Sequence, residues 1–460
     1  MAKGQRKERL IGALVANEKG EIFDIEGYAA VGLSGALHIP LTVGETLFMP
    51  DGGELMRLPD RYPVVWNIEE GRVEVLTHNP FDPSERIYPV SAFNSPGYVN
   101  TAQAACESDE GADPLPLFSY CAVGWYDDGF RVASCQVDAE PRQELRLMPI
   151  PEVQKGVDTR RETHAENRLF RHLEKCALTY GCPAAKNLFI GRCEAPLPTS
   201  RQCNARCLGC ISHQSAVKIS NCQDRIDFTP TPEEIAGVAL AHFETVPDGV
   251  VSFGQGCEGD PLLAAEVIEP AIKLIRKSTD RGTINMNTNA SLPKVLDRLF
   301  DAGLDSIRAS MNSVRPEIYT AYFRPNGYRF EDVVESFDVA KSHGRYKAIN
   351  YLNSPGITDT PEEFDALCRF IEAHGVDLIQ WRNLNFDPVL YHAQMSEAGA
   401  LGLPIGIKKM ITRLEKAFPN LKHGYFNPSK EMYASRPGGR NIEKPAPKKR
   451  EKPKRRIKRR

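Results

Sequence analysis

The chain lacks any long apolar run. Among its 460 residues there is no stretch of about 18 or more apolar residues, so the sequence predicts no membrane span. A secretory leader is not recognisable either, because the apolar segment LIGALVA near the start is short and ends in Asn-Glu-Lys-Gly. These features favour a cytoplasmic protein.

Cysteines are too few and too irregularly spaced for a disulfide framework. Twelve occur in the chain, whereas small secreted scaffolds are dense in paired cysteines. We therefore expect free thiols in a reducing compartment, where they remain able to bind metal. Histidines are scattered, and no His-x3-His spacing predicts a metal site on a helix.

Net charge is small for the whole chain and very uneven along it. The formal net charge is −2, yet residues 441–460 carry eleven Lys or Arg and two Glu, an excess of nine that leaves −11 elsewhere. Such a run attracts phosphates, but it contains no aromatic residue that would stack on bases. The sequence predicts a disordered basic tail, residues 436–460, with non-specific nucleic-acid binding through residues 444–460.

The first part of the chain is rich in glycine and proline and poor in helical patterns. Residues 1–150 are predicted to form a β-rich domain, because Asn17–Gly20 and Asp127–Gly129 have the composition of hairpin turns. Residues 151–194 are predicted to be a helical connector, with one helix over residues 159–181, where apolar residues recur at helical spacing.

The middle of the chain alternates between strand and helix patterns. Six strands, each followed by a helical segment, are predicted within residues 195–390, and a helical extension over 391–435. This alternation is typical of parallel β/α units, in either a partial barrel or an open doubly wound sheet. Periodicity alone does not decide between these two architectures.

The segment CNARCLGC contains three thiols in eight residues, at Cys203, Cys207 and Cys210. A closed zinc site takes four protein ligands, and no second pair of cysteines follows here. Three thiolates on a four-iron cluster leave one iron open to a small molecule. The segment also follows a predicted strand end, where β/α folds place their chemistry. It therefore predicts an open iron–sulfur site, with zinc or unpaired core thiols as the alternatives.

The Cys-x3-Cys-x2-Cys spacing resembles the signature of the radical S-adenosylmethionine superfamily. The resemblance covers roughly residues 195–390 and is strongest to the branch that includes molybdenum-cofactor biosynthesis enzymes and peptide-modifying maturases. It implies an α/β fold with a partial (β/α)6 TIM-like barrel and a [4Fe-4S] cluster on the three cysteines. It also implies S-adenosylmethionine on the open iron, a 5'-deoxyadenosyl radical that takes hydrogen from a substrate, and a one-electron donor of the flavodoxin or ferredoxin type.

Further segments lie where that family contacts its cofactor. GQGCEGDP (254–261) resembles the Gly-Gly-Glu-Pro motif, with Glu258 at a usual glycine and Asp260 at the usual glutamate. NTNA (287–290) and RASMNS (308–313) resemble the family's Thr-Asn-Gly and Ser-Leu-Asp stretches, although short polar residues also cap turns. The resemblance implies these cofactor-binding residues: Gly256, Glu258, Gly259, Asp260, Asn287, Thr288, Asn289, Ser310 and Asn312.

Two arginines and several spare cysteines have their own interpretations. A planar guanidinium binds carboxylate or phosphate through paired hydrogen bonds, so both Arg308 and Arg382 are candidates to bind such a group. We favour substrate binding for Arg382, whereas surface ion pairing is an equal alternative for Arg308. Cys257 is expected to be a buried, inert thiol. No cysteine-rich extension follows the barrel, so no auxiliary cluster is predicted, although four further thiols flank the triad: Cys176, Cys182, Cys193 and Cys222.

Two other functions stay open. One is an RNA- or ribosome-associated binding protein whose iron–sulfur cluster is structural. The other is an electron-transfer protein whose cluster has a fourth protein ligand. Neither would cleave S-adenosylmethionine. Hydrogen abstraction serves many net reactions, so the sequence names neither the substrate nor a catalytic residue.

Overall fold

The computed structural model of the chain describes residues 9–140, 145–214 and 218–434. The predicted tail, residues 436–460, lies outside the described residues, as does the expected nucleic-acid-binding segment 444–460. None of the described helices combines the length and the apolar character needed to cross a bilayer.

The described residues 9–136 contain fifteen strands, most of them short. Thirteen of the strands belong to one largely antiparallel sheet, and the other two pair separately. Their bounds are β1 (Gly12–Asn17), β2 (Ile22–Ser34), β3 (Leu37–Pro40), β4 (Leu47–Phe48), β5 (Glu54–Arg57), β6 (Arg61–Asn67), β7 (Arg72–Val75), β8 (His78–Asn79), β9 (Asp82–Phe93), β10 (Tyr98–Asn100), β11 (Gln103–Ala104), β12 (Cys106–Ser108), β13 (Cys121–Tyr126), β14 (Gly129–Val132) and β15 (Ser134–Gln136).

Both turns expected from the sequence join hairpins. Asn17 closes the first turn, because its Oδ1 accepts the backbone N–H groups of Lys19 and Glu21. In the second, Asp127 and Asp128 form a two-residue loop with φ values of 53° and 55°. Two consecutive positive φ angles give the turn a twist that matches the flanking strands. The division of the chain into separate folding domains stays a prediction.

The connector contains three helices instead of the single predicted one: α1 (Ile150–Thr163), α2 (Arg168–Leu178) and α3 (Pro183–Phe189). The break within 159–181 lies at Asn167, whose side chain accepts the backbone N–H groups of Leu169 and Phe170. This N-cap begins α2 as a new helix. The apolar residues at helical spacing all follow Asn167, so the helical pattern applied to α2 and not to the polar residues before it.

A sheet of seven parallel strands follows. Its strands lie side by side in chain order: β16 (Glu194–Pro196), β17 (Val250–Phe253), β18 (Thr283–Thr288), β19 (Ser306–Met311), β20 (Tyr346–Asn353), β21 (Leu378–Asn383) and β22 (Lys422–Gly424). A doubly wound sheet would reverse its strand order at a switch point. The strand order does not reverse, and the first and last of the described strands do not pair with each other, which confirms the partial barrel. The seventh strand, β22, was not predicted from the sequence.

Eight helices accompany these strands: α4 (Pro232–Thr245), α5 (Ala265–Ser278), α6 (Pro293–Ala302), α7 (Pro316–Phe323), α8 (Phe330–Ser342), α9 (Pro361–His374), α10 (Pro388–Ala398) and α11 (Ile407–Ala417). Alternate strand residues such as Ile284, Ile307 and Ile379 are apolar and fully buried. The intervening residues face the other way and are mostly polar. We call them the inner face: Ser252, Asn285, Asn287, Arg308, Ser310, Asn350, Gln380 and Arg382.

A segment after β22 crosses the amino-terminal end of the barrel. Asn427 reaches across the inner face, since its Nδ2 donates to Glu194 Oε1 at 2.7 Å and its Oδ1 accepts from Gln380 Nε2 at 2.8 Å. The N–H of Lys430 then donates to Thr283 Oγ1 at 2.7 Å. Tyr433 stacks on Tyr346, with ring centroids 4.0 Å apart. Residues 425–433 thus form a floor beneath the first residues of β18 and β20.

The β-rich region packs against the opposite end of the barrel. Asn353 and Asn383, at the carboxyl ends of β20 and β21, donate to the carbonyls of Asn100 and Tyr98 at 2.8 and 2.9 Å. Nearby, the N–H of Gly35 donates to Pro355 O at 2.9 Å. The region therefore covers one side of the barrel mouth, the end at which parallel β/α folds place their chemistry.

A buried ion pair fastens the two regions. Arg61 Nη2 lies 3.2 Å from Asp387 Oδ2, and both side chains are only 4% exposed. Asp387 also accepts the backbone N–H of Leu115 and caps α10. The carboxylate therefore depends on Arg61 for charge compensation and in turn holds the β-rich region against the barrel.

Replacing Arg61 by Met is expected to lower the free energy of unfolding by about 3–5 kcal/mol, because it leaves the Asp387 carboxylate buried without a counter-charge. Denaturant unfolding followed by circular dichroism measures this loss. Arg72→Met is the matched control, since Arg72 pairs with Glu70 at side-chain exposures of 62% and 50%, and solvent screening of that pair should leave stability nearly unchanged. Equal effects of the two variants would contradict the expected role of the pair.

Candidate active site

The three clustered cysteines lie on the long loop between β16 and α4, at the carboxyl end of the first barrel strand. Each thiol is partly buried. The end of α7 supports the loop, since the N–H of Arg206 donates to Phe323 O at 2.9 Å and the N–H of Leu208 donates to Tyr322 O at 3.1 Å. Backbone pairing of this kind holds a segment that has no regular secondary structure of its own.

Glycine is required in the middle of this loop. A Cβ at Gly209 would lie 2.8 Å from the Tyr322 hydroxyl oxygen and 3.0 Å from Asn385 Oδ1. Asn385 Nδ2 also donates to Gly209 O at 2.9 Å. The absent side chain thus lets the loop pack tightly against its neighbours between Cys207 and Cys210.

The thiol spacing differs from that of a single-ion site. Around one zinc ion, two thiolate sulfurs lie about 3.8 Å apart, given Zn–S bonds of about 2.3 Å in a tetrahedron. Among the described His, Cys, Asp and Glu residues, no group of three or more ligand atoms within 4.8 Å includes Cys203, Cys207 or Cys210. A larger inorganic group suits this wider arrangement of three sulfurs better than one ion does.

The electrostatic setting of the thiols also bears on what they hold. Burial, with the nearby charge of Asp260, raises the pKa of Cys203 to about 11. Burial and the neighbouring thiols raise the pKa of Cys207 even more strongly. Arg225 Nη2 donates to Cys210 Sγ at 3.7 Å. Thiols in such surroundings become thiolates when a bound cation compensates their charge, and that chemistry suits a cationic iron–sulfur core.

Glu258 clamps the start of the cysteine loop to the glycine-rich turn after β17. One carboxylate oxygen accepts the N–H groups of Thr199 and Ser200 at 2.7 and 2.8 Å, and the other accepts those of Gly254 and Gln255 at 2.7 and 2.8 Å. Burial raises the pKa of Glu258 to about 7, while these four donors oppose the shift. Four donors saturate a carboxylate, which corrects the expectation that Glu258 contacts a cofactor.

Asp260 ties the same turn to the end of β18. Its Oδ1 accepts the Leu262 N–H at 3.1 Å and the Thr288 hydroxyl at 2.8 Å, and its Oδ2 accepts the Asn289 N–H at 2.7 Å. Burial raises the pKa of this carboxyl. Three of its four acceptor positions are filled, so Asp260 retains one position for a ligand.

The glycines of this turn permit very close backbone approach. A Cβ at Gly259 would lie only 1.8 Å from Gln202 O, in the residue before Cys203. A Cβ at Gly256 would lie 2.5 Å from Ile211 Cδ1, just after Cys210. The absence of side chains at Gly256 and Gly259 thus lets the turn pack against both ends of the cysteine triad, and their contact with a cofactor stays a prediction.

Asn204, inside the triad, is a residue that the sequence analysis missed. Its Oδ1 accepts from Asn289 Nδ2 at 2.7 Å, and its Nδ2 donates to Ser291 Oγ at 2.9 Å. Its carbonyl also accepts the N–H of Asn326 at 2.8 Å. Asn204 therefore connects the cysteine loop with the strand-end amides. The sequence signal was available, since Asn204 stands directly after Cys203.

The remaining predicted cofactor residues fall into two places. Asn287 lies on the inner face, where its Nδ2 donates to Gly254 O at 3.1 Å, and Ser310 lies on the same face opposite Asn350 of β20. Asn312 is fully buried elsewhere, and its Nδ2 donates to Ile318 O at 3.1 Å. The expectation that Asn312 faces the cofactor is corrected, because the strand has ended before it and its side chain turns toward α7.

Two arginines lie together on the inner face. Arg308 Nη1 donates to Gln380 Oε1 at 2.7 Å, while its buried Nε has no hydrogen-bond partner. The Arg382 guanidinium lies 3.6 Å from the centre of the Tyr425 ring, and its buried Nη1 also has no partner. Burial and the charge of Arg382 lower the pKa of Arg308. The pair therefore offers positive charge and free donors.

Together these contacts form a polar site at the mouth of a β/α barrel, and its three thiols fit an iron–sulfur type of ligand set. Three thiols sit at the mouth, a glycine-rich turn lies behind them, and polar groups line the inner face. Asn350 Oδ1 adds a buried acceptor without a partner beside Ser310. An open cluster on the thiols and a small polar cofactor between the turn and the inner face fit these residues.

The comparison with family models agrees with this class. Residues 197–371 match the model of the radical SAM superfamily. The chain contains a radical SAM domain, and members of this superfamily are enzymes that use a [4Fe-4S] cluster and S-adenosylmethionine together with an electron donor. The particular branch stays a prediction.

Individual relatives are distant. The GTP 3',8-cyclase of Chlorobaculum tepidum is 24% identical over 231 residues, which are 48% of this chain and 60% of the cyclase. A structure of native anSMEcpe with bound AdoMet aligns at 16% identity and a TM-score of 0.32, over 42% of this chain and 51% of that one. Methylornithine synthase (PylB) aligns at 16% identity and a TM-score of 0.36, over 61% and 74%. The chain thus spans 60% of the cyclase and about half of anSMEcpe, in both cases less than two thirds.

Proposed function

We propose that Cys203, Cys207 and Cys210 hold a [4Fe-4S] cluster with one open iron and that the chain cleaves S-adenosylmethionine there. The observation that carries this proposal is the position of the three thiols on one loop at the barrel mouth, where the described residues form no group of three or more ligand atoms close enough for a single ion. An external one-electron donor of the flavodoxin or ferredoxin type would reduce the site.

When bound, the cluster and S-adenosylmethionine supply a 5'-deoxyadenosyl radical that abstracts hydrogen from a substrate. The protein's own residues supply position. Glu258 and Gly259 fix the turn against the cysteine loop. Asp260, Ser310 and the Asn350 acceptor offer hydrogen bonds to the polar groups of the cofactor. The β-rich region over the mouth would limit the access of water to a reactive intermediate.

Release of 5'-deoxyadenosine tests the proposal. Protein reconstituted without oxygen and reduced with dithionite should bind about four irons and release 5'-deoxyadenosine from added S-adenosylmethionine. An electron-transfer protein or a binding protein with a structural cluster would hold iron but release none. Zinc that is lost when Cys203 is replaced by Ala, or iron content that is unchanged in Cys203→Ala, would overturn the proposed cluster.

The substrate side of the site favours an anion. Neither Arg308 nor Arg382 makes an ion pair within the described chain, and each leaves a buried N–H donor unused. A buried donor without a partner costs about 1–3 kcal/mol, and two neighbouring cations repel each other. A carboxylate or phosphate between them would relieve both penalties, so we propose a substrate with such a group.

Replacing Arg382 by Gln is expected to weaken the binding of pyrophosphate or GTP by about tenfold or more, because a charge-assisted hydrogen bond is worth about 1.5–3 kcal/mol. GTP is chosen because the matched cyclase carries it in its name. Calorimetry measures both probes and S-adenosylmethionine. Arg413→Gln, on α11 and stacked on Phe364, is the control. If Arg382→Gln weakens S-adenosylmethionine alone, the arginines bind the cofactor's carboxylate instead of substrate.

A further inference from the structure

A second set of metal-binding side chains lies apart from the cysteine triad. His172 and Cys176 stand four residues apart on α2, so both point from one face of the helix. Cys257 approaches them from the glycine-rich turn after β17. The ligand atoms of these three residues all lie within 4.8 Å of one another, and they are the one such group among the described residues.

The distances suit one tetrahedral ion. His172 Nε2 lies 3.5 Å from Cys176 Sγ. Around tetrahedral zinc, with bonds of about 2.3 Å to sulfur and about 2.0–2.1 Å to nitrogen, this separation would be about 3.6 Å. The imidazole is held edge-on to Phe228, with ring centroids 6.3 Å apart. The three groups are therefore already arranged at the spacing that an ion requires.

The surroundings suit a thiolate-bound divalent cation. Cys176 is 1% exposed and Cys257 is 5% exposed. When a divalent cation binds, each of the two thiols releases one proton, and a neutral imidazole completes a site with zero net charge, which burial tolerates. The nearest lysine on the helix, Lys175, is engaged elsewhere, since its Nζ lies 2.8 Å from Asp224 Oδ2.

We propose that His172, Cys176 and Cys257 form a mononuclear site for a thiophilic divalent cation, with zinc as the expected ion. Thiolate and imidazole ligands are those that zinc prefers. The fourth position goes to water, because the Cys182 thiol is not among the ligand atoms that lie within 4.8 Å of one another, although the Cys182 N–H donates to Cys176 O at 3.0 Å.

The bound ion would stabilise the glycine-rich turn from the side that faces α2. Cys257 directly precedes Glu258 and Gly259, which hold the turn against the cysteine loop. An ion that joins Cys257 to α2 would tie this turn to the connector helices. The proposal is independent of radical chemistry, because it concerns a different set of thiols and predicts a metal even in protein that has no iron.

Metal counting in purified full-length protein tests the inference. Protein that is expressed in zinc-supplemented medium and then purified should contain about one zinc per chain. The triple variant Cys203→Ala, Cys207→Ala, Cys210→Ala should keep this zinc and lose its iron. Cys257→Ala should lose the zinc and keep its fold by circular dichroism. Cys368→Ala, on the remote helix α9, is the control and should keep it. Cobalt substitution should give thiolate-to-cobalt charge-transfer absorption that disappears in Cys257→Ala.

A second pair of variants covers the case in which Cys257→Ala fails to fold. His172→Cys retains three ligands and should keep the zinc, whereas His172→Phe should release it to a chelator at least about tenfold faster. Cys182→Ser should leave the cobalt charge-transfer absorption unchanged, because the Cys182 thiol lies outside the group of close ligand atoms. Zinc-free wild-type protein, zinc that persists in His172→Phe, or a Cys176–Cys257 disulfide found by mass spectrometry under anaerobic conditions would each overturn the site.

Discussion

Cys207→Ala should reduce 5'-deoxyadenosine release to the level of a protein-free control. Cys207 is the middle of the three proposed cluster ligands, and loss of any one leaves the cluster with two protein thiolates. Iron content should fall from about four per chain to below about one. Anaerobic reconstitution followed by iron analysis and product chromatography measures both quantities on the same sample.

Cys222→Ala is the matched control for this prediction. Cys222 is the next thiol along the loop, it is exposed, and its Sγ donates to Leu117 O at 3.4 Å. Its loss should leave iron content and product release unchanged. A variant without Cys222 that loses its iron would instead identify a fourth protein ligand, and the open iron corner required for S-adenosylmethionine would not exist.

Glu258→Gln is expected to lower the free energy of unfolding by about 2–6 kcal/mol. The amide keeps the shape of the side chain, but its NH2 group cannot accept hydrogen bonds, so two of the four backbone donors on Glu258 lose their partner. Each buried donor without a partner costs about 1–3 kcal/mol. Because Thr199 and Ser200 lead directly into the triad, the reconstituted variant should also retain less iron than wild type.

Glu266→Gln provides the comparison for Glu258→Gln. The Glu266 side chain is 91% exposed, so the same chemical change there should alter stability by less than about 0.5 kcal/mol. Chemical denaturation of the iron-free proteins isolates the effect on the fold, and iron counting after reconstitution isolates the effect on the loop. If Glu258→Gln is as stable as wild type, the four short hydrogen bonds do not hold the turn.

Local patterns in the sequence predicted most of the barrel. The alternation of strand and helix patterns marked β/α units that the structure contains, and in it Thr231 and Thr360 cap the helices α4 and α9. The family resemblance chose the partial barrel, and the parallel strand order agrees with that choice. The cysteine triad and the glycine-rich turn were recognisable because each is a short motif whose residues stand at a fixed spacing along the chain.

What the sequence did not reveal depends on contacts between distant segments. Glu258 was assigned to a cofactor because its position in the motif was visible, whereas its four backbone partners come from two separate loops. Asn312 was misplaced because the exact end of β19 decides where its side chain points. The proposed metal site was also not visible in the sequence, because its third ligand, Cys257, lies about eighty residues after His172 and Cys176. In addition, a search for paired histidines does not find a His-x3-Cys spacing.

The floor formed by residues 425–433 has a consequence for whatever the basic segment binds. Tyr433 sits beside Tyr346 at the start of β20, whereas the thiols lie beyond the opposite ends of the strands. The described chain therefore ends at the pole of the molecule remote from the thiols. A polyanion bound directly beside that point would be held away from the barrel mouth, so its recruitment would be a separate task from the chemistry.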